Sequence, residues 1–263
     1  VTDRGSVDNV VVVVPARNEE ELLPRCLAAL TVAVGEVGGV AGQSPPVIDV
    51  VVVLDRCSDG TAEVAADWPA FGSISTTGGA VGVARRAGVR HLLPTSNLFT
   101  STTWIATTDA DSAVPPNWLT VQLAFARNSV DLVLGTVVPD DGLSDGGRER
   151  WDAQHRLVEG HAHVHGANLG VRADRYLQAG EFALVDGHED VRLVSALRGL
   201  RVSEIRTELI PVLTSGRLTG RTPGGFAGYL RDQATEGGGH APVRGPVTGS
   251  RRARPPVIEP ARR

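Results

Sequence analysis

Apolar residues in this chain fall into short β-branched runs separated by stretches of helical periodicity. Residues 8–14 end in five consecutive valines, Val10 to Val14. The run is too short to cross a membrane and suits a strand buried on both faces of a parallel sheet. Pro15 closes it, and beyond the polar segment 16–21, Leu22, Leu23, Cys26, Leu27 and Leu30 recur at helical spacing with Pro24 in the first turns. A Gly- and Pro-rich connection over 35–46 leads to a second strand over 47–54, turn formers over 55–61 and a helix over 61–67. Further strands are predicted over 73–76, 103–106, 130–138, 202–205 and 209–213. Helices are predicted from the glycine-rich stretch at 78–88 to about 93, and over 117–128, 148–159, 175–179, 191–199 and 226–231. A mobile acidic loop is expected over 140–147. Such alternation argues for an α/β fold with a mostly parallel, Rossmann-like central sheet flanked by helices, in which ligands bind beyond the carboxyl ends of the strands.

Candidate chemistry gathers at those ends. Strand 103–106 runs into Thr107-Thr108-Asp109-Ala110-Asp111, with Pro115 and Pro116 forcing a turn soon after. Carboxylates at i and i+2 can reach one cation, an oxygen-rich site for a hard ion such as Mg²⁺ or Mn²⁺. The same pair also reads as a turn former and a helix N-cap. Arg17 and Asp55 follow other strands. Glu189 and Asp190 open a predicted helix, where they either favour its dipole by about 0.3–1 kcal/mol or present a general base to a cleft. His161, His163 and His165 alternate along a predicted strand, either as zinc ligands or as polar lining of a cleft. Arg217 and Arg221 have a spacing suited to a clamp for anions or to a solvated loop. The glycines at 78–88 do not fit Gly-x-Gly-x-x-Gly, which argues against a nicotinamide or flavin fold.

Composition narrows the function. Aromatic residues are 4% of the 263 and the net charge is −4, with no basic cluster threaded by aromatics, so nucleic acid is not the expected partner. No segment approaches the roughly 20 apolar residues of a membrane span, and the N-terminus lacks a signal-peptide layout, so the cytoplasm is the expected location. Cys26 and Cys57 read as free thiols. Residues 1–230 are expected to form one domain and the Gly-, Pro- and Arg-rich residues 231–263 a disordered tail.

In order along the chain, Val-Val-Val-Val-Pro-Ala-Arg-Asn-Glu-Glu (11–20), Val-Val-Val-Leu-Asp-Arg-Cys-Ser-Asp-Gly-Thr (51–61), Thr-Asp-Ala-Asp (108–111) and Gly-His-Glu-Asp (187–190) together resemble the family 2 glycosyltransferases of the GT-A fold. Residues 166–172 are similar to that family's acceptor-side segment. The resemblance implies a hexosyltransferase that moves a sugar from a nucleoside-diphosphate donor to an acceptor hydroxyl with Mg²⁺ or Mn²⁺ as cofactor. UDP-sugar is the favoured donor and GDP-mannose the alternative. By the resemblance Pro15, Ala16, Arg17 and Glu19 line the nucleotide pocket, Asp55 faces the base, and Arg85 lies near base or ribose. Asp109 and Ala110 lie near the ribose, and Asp111, with Asp109, holds the metal. Arg217 and Arg221 contact the diphosphate. Asp190 is then the base of an inverting reaction with Glu189 in support, and His165, Asn168 and His188 face the acceptor. The absence of membrane helices and of Gln-x-x-Arg-Trp points to a soluble enzyme that adds one sugar at a time. Three other readings compete. A nucleotidyltransferase calls for a Lys-containing loop in a chain with no Lys, a zinc hydrolase uses His161, His163 and His165, and a non-catalytic sugar-nucleotide binding protein keeps only the donor pocket.

Overall fold

The valine run sets the architecture, because alternate side chains of a strand point to opposite faces. In the computed structural model it lies in β1 (Asn9–Ala16). Val10, Val12 and Val14 join a core with α1 (Leu23–Gly35) and α4 (Trp118–Arg127), through Leu23, Leu27, Leu30, Trp118 and Leu123. Val11 and Val13 join a second core with α3 (Val81–Leu92), α6 (Ala173–Gln178) and α7 (Glu189–Gly199), through Ala84, Val89, Tyr176, Leu193 and Leu197. Both faces of the sheet are therefore covered, as an apolar parallel strand requires. The structure describes residues 5–38, 44–93, 97–155, 157–185, 187–220, 227–228 and 230–231.

The remaining elements are β2 (Val47–Asp55), α2 (Thr61–Ala66), β3 (Gly72–Thr76), β4 (Thr103–Thr107), β5 (Ser112–Ala113), β6 (Leu132–Pro139), α5 (Asp145–Gln154), β7 (Leu169–Arg172) and β8 (Glu204–Thr214). The sheet runs β3-β2-β1-β4-β7-β6-β8-β5. Strands β3, β2, β1 and β4 are parallel, as are β6 and β8, whereas β7 is antiparallel to both neighbours and β5 is antiparallel to β8. Among the described residues no helix is long and apolar enough to cross a membrane.

Three expectations are corrected. The two late strands are one, β8, whose pairing jumps from Gly135↔Thr207 to Val137↔Val212. Surplus residues on one side of a ladder leave main-chain groups unpaired, and the Asn168 amide donates to the carbonyls of Thr136 at 2.8 Å and Ile210 at 2.6 Å. The loop expected over 140–147 is partly helix: the Ser144 hydroxyl accepts from the Gly147 N–H and starts α5 earlier than predicted. Residues 161–165 form no strand. Arg221 and the tail from residue 232 lie outside the described residues, and of the predicted last helix residues 227, 228, 230 and 231 are described and helical.

Candidate active site

Parallel strands β1 and β4 end side by side, Val13 opposite Thr107. The chain leaves β4 with the Thr108 N–H on the Val13 carbonyl at 3.3 Å, and the Ser112 N–H on the Asp109 carbonyl at 3.0 Å closes the turn. The Cys26 thiol donates to that same carbonyl at 3.4 Å. Ala110 is buried and both carboxylates stand at the carboxyl edge of the sheet. Asp109 accepts from Arg85, whose other terminal nitrogen donates to Glu189. Arg85 is thus the buried bridge between the Asp-Ala-Asp turn and the start of α7. Burial works against its charge, but Asp109 and Glu189 more than offset this and raise its pKa. Two glycines make the arrangement possible. A Cβ on Gly82 would lie 2.4 Å from the Ala183 carbonyl, and one on Gly166 would lie 2.3 Å from the Arg85 guanidinium.

Pro15 and Ala16 are the last residues of β1, and the loop after β3 is stitched to that edge. Arg17 donates to the Gly79 carbonyl at 3.2 Å, Asp55 accepts from the Gly79 N–H at 2.9 Å, and Arg56 Nε donates to the Thr77 carbonyl at 2.9 Å. Arg56 lies in the 51–61 segment and Gly79 in the glycine-rich stretch, but neither pattern assigns them this contact; the left-handed Gly79 backbone, φ 75°, gives Gly a reason there. Glu19 is buried, its N–H donating to the Thr61 hydroxyl at 2.8 Å, and its carboxylate receives both terminal nitrogens of Arg217. One of those nitrogens also lies 3.2 Å from Asp111. The segment carrying Arg217 is held by Asp140, which accepts from the Gly216 N–H at 2.8 Å and from Arg25 at 2.7 Å, while Arg25 also donates to the Asp111 carbonyl at 2.7 Å. Arg25 and Asp140 escape sequence reading because they meet only in the fold.

Asp190 sits in the first turn of α7, aimed by consecutive left-handed residues Gly187 and His188, φ 102° and 57°. Its carboxylate accepts from the Gly166 N–H at 2.8 Å and the Val191 N–H at 2.7 Å. His188 is exposed. Asn168, read as an acceptor contact, is instead spent in the core: besides its two carbonyl partners at the β8 irregularity, it accepts from the Trp118 indole at 2.9 Å.

The histidines stack instead of converging. His163 faces His155 at 4.7 Å, His161 at 6.0 Å and His165 at 5.8 Å between ring centroids, and His155 lies flat on Trp151 at 3.5 Å. Among the described residues no group of three or more His, Cys, Asp and Glu is placed to hold a metal, so the zinc-hydrolase reading has no geometric support. Burial, with the charge of His163 next, pushes the His155 imidazole down to about 4, and burial with all three neighbours pushes His165 down to about 3. Such groups stay neutral in the folded chain and protonate in the unfolded one below about pH 6.5. Stability is therefore full above that pH and falls as the pH drops towards 4. For His155 alone the loss is on the order of 3 kcal/mol, at about 1.4 kcal/mol per tenfold change in proton affinity. Urea unfolding at pH 7 and pH 4 should show it, and His155→Phe should flatten the slope; an equal slope in the variant would refute this account.

The carboxylates at the β4 end fit a hard divalent cation. Burial and the charge of Asp109 push Asp111 up to about 7, with Arg217 only partly relieving it. A pair of oxygen donors at a sheet edge, one of them with its charge opposed by burial and by its neighbour, is what Mg²⁺ or Mn²⁺ satisfies.

The sequence model for glycosyl transferase family 2 matches residues 11–175. The chain belongs to this family. Its fold is the GT-A fold of solved glycosyltransferases. S. aureus TarS 1–349 in complex with UDP is 14% identical with a TM-score of 0.55, covering 79% of this chain and 61% of that one. Mannosyltransferase PcManGT from Pyrobaculum calidifontis in complex with GDP-Man and Mn²⁺ is 18% identical with a TM-score of 0.57, covering 89% and 63%. GalNAc-T7 with UDP, GalNAc and Mn²⁺ is 11% identical with a TM-score of 0.53, covering 82% and 46%. This family 2 chain thus spans less than two thirds of the length of each. No curated protein matches it in sequence.

Proposed function

We propose that the chain is a metal-dependent, inverting glycosyltransferase that moves a sugar from a nucleoside-diphosphate donor to an acceptor hydroxyl. The observation that carries this reading is the Arg85 bridge, which brings the Asp-Ala-Asp turn and the Glu-Asp start of α7 to one place. A donor held by the first is then within reach of a base on the second. Pro15, Ala16, Arg17, Asp55 and the 77–80 loop form the wall for the nucleoside, with Asp109 and Ala110 at the ribose and diphosphate. Asp111 and Asp109 hold the divalent ion, which when bound supplies positive charge against the leaving diphosphate. Arg217 adds a fixed cation at the same charge.

Asp190 takes the proton of the acceptor hydroxyl as its oxygen attacks the anomeric carbon and the bond to the diphosphate breaks. Two backbone N–H donors hold the Asp190 carboxylate in place, so the base needs no reorganisation. Glu189 cannot share the proton transfer while Arg85 holds it; it is a positioning residue. A uridine donor is favoured, supported by the UDP-bound relatives, and guanosine diphosphate mannose is the alternative, supported by PcManGT.

Thermal unfolding against uridine and guanosine diphosphates and their sugars, with Mn²⁺, Mg²⁺ or chelator, tests this reading. A ligand at about 100 times its Kd stabilises by roughly 2.7 kcal/mol, so one nucleotide should raise Tm only with metal, and Asp111→Ala should abolish the rise. No shift with any nucleotide would overturn it.

A further inference from the structure

Arg217 stands where the donor site most needs positive charge. Both of its terminal nitrogens serve the buried Glu19 carboxylate, at 2.7 Å for the first, and the second keeps a looser contact of 3.2 Å to Asp111. A fork on Glu19 is the anchor, and the Asp111 contact is the weaker one. A guanidinium keeps its charge at any physiological pH, so this contact is broken by exchange for another cation and not by loss of a proton. The arm is also held from behind: Asp140 grips the Gly216 N–H at 2.8 Å and is itself gripped by Arg25, which reaches the Asp111 main chain. At Gly216 a Cβ would lie 2.5 Å from the Leu143 backbone nitrogen, so the arm packs closely against its support.

Resting on the function proposed above, we infer that Arg217 is the resident counter-ion of the metal site. Anchored on Glu19, its charge sits beside Asp111 in the nucleotide-free protein, and that carboxylate passes to the divalent ion when the anionic nucleoside diphosphate arrives to balance the added positive charge. The metal alone then binds weakly, because it enters beside a guanidinium that Glu19 holds in place, with no anion there to offset the two positive charges. Metal and nucleoside diphosphate bind as a pair, since each removes the other's cost; such coupling is reciprocal. Glu19 and Asp140 act through Arg217 as positioning residues.

The probe is Mn²⁺ itself, its free concentration followed by electron paramagnetic resonance on the full chain, with and without uridine or guanosine diphosphate. Arg217→Gln should bind Mn²⁺ alone about tenfold tighter than the unmodified protein, within the range typical of coupled sites. The enhancement of Mn²⁺ affinity by the nucleotide should shrink by a similar factor. Arg217→Lys keeps the charge without the fork and should fall between the two, and it carries the test if the Gln variant does not fold. Unchanged or weaker Mn²⁺ binding in the folded variants, with nucleotide enhancement intact, would overturn the counter-ion role and leave the transferase reading standing. No Mn²⁺ binding to any form, with or without nucleotide, would overturn both.

Discussion

Replacing Asp190 by Asn is expected to lower kcat by about 10²–10⁴-fold, the usual worth of a positioned general base. The exchange is nearly isosteric. An Asn oxygen can still accept the Gly166 N–H that Asp190 holds at 2.8 Å, so the start of α7 should keep its place. What disappears is an anionic oxygen able to take a proton. Among the described residues the Asp190 carboxylate is hydrogen-bonded to the Gly166 and Val191 N–H groups and not to Asp109 or Asp111, so donor affinity should stay within about threefold, less than 1 kcal/mol by the usual conversion. Steady-state kinetics with the identified donor, paired with calorimetric donor Kd values, separate the two effects. Loss of donor affinity in proportion to kcat would make Asp190 a donor contact and not a base. Unchanged kcat would remove the base role of Asp190 altogether.

The parts of this site legible in the sequence are those set by a local pattern of neighbouring residues. Five valines before Pro-Ala-Arg-Asn-Glu specify a buried strand with a polar end, and β1 is that strand. Thr-Thr-Asp-Ala-Asp after an apolar run specifies carboxylates at a sheet edge, and they stand there. What could not be read are the pairings between distant residues. Arg85 sits in a helical pattern that reveals an apolar face but not that its guanidinium crosses 104 positions to Glu189. Asp140 lay in a stretch read as a mobile loop, yet its carboxylate holds Gly216 from 76 positions away. Asn168 was misassigned for a related reason: a surplus in β8 that no periodicity signals leaves carbonyls that only a buried amide can satisfy. The alternating histidines follow a two-residue period that fits a strand, but their rings stack on one another instead of pairing with a sheet neighbour.

Arg85→Met is expected to destabilise the fold by about 3–5 kcal/mol, the cost of leaving one partner of a buried ion pair unpaired. Met retains much of the side chain's apolar volume, so the loss is electrostatic more than steric. Glu189 is almost wholly enclosed, its side chain 4% exposed, whereas Asp109 at 34% can still turn to water. The penalty therefore concentrates on Glu189. Stripped of Arg85, its carboxyl has a folded pKa raised by burial, so the variant keeps more stability at low pH and loses it as pH rises through that value. The deficit measured by urea unfolding should be larger at pH 8 than at pH 5. A second substitution, Glu189→Gln, removes the stranded charge and should restore part of the loss, giving the two sites a coupling well above the roughly 0.5 kcal/mol of independent positions. If the two losses simply add, or if the deficit does not change with pH, Arg85 is a packing residue, and the link it makes between the metal turn and the base helix has no energetic content.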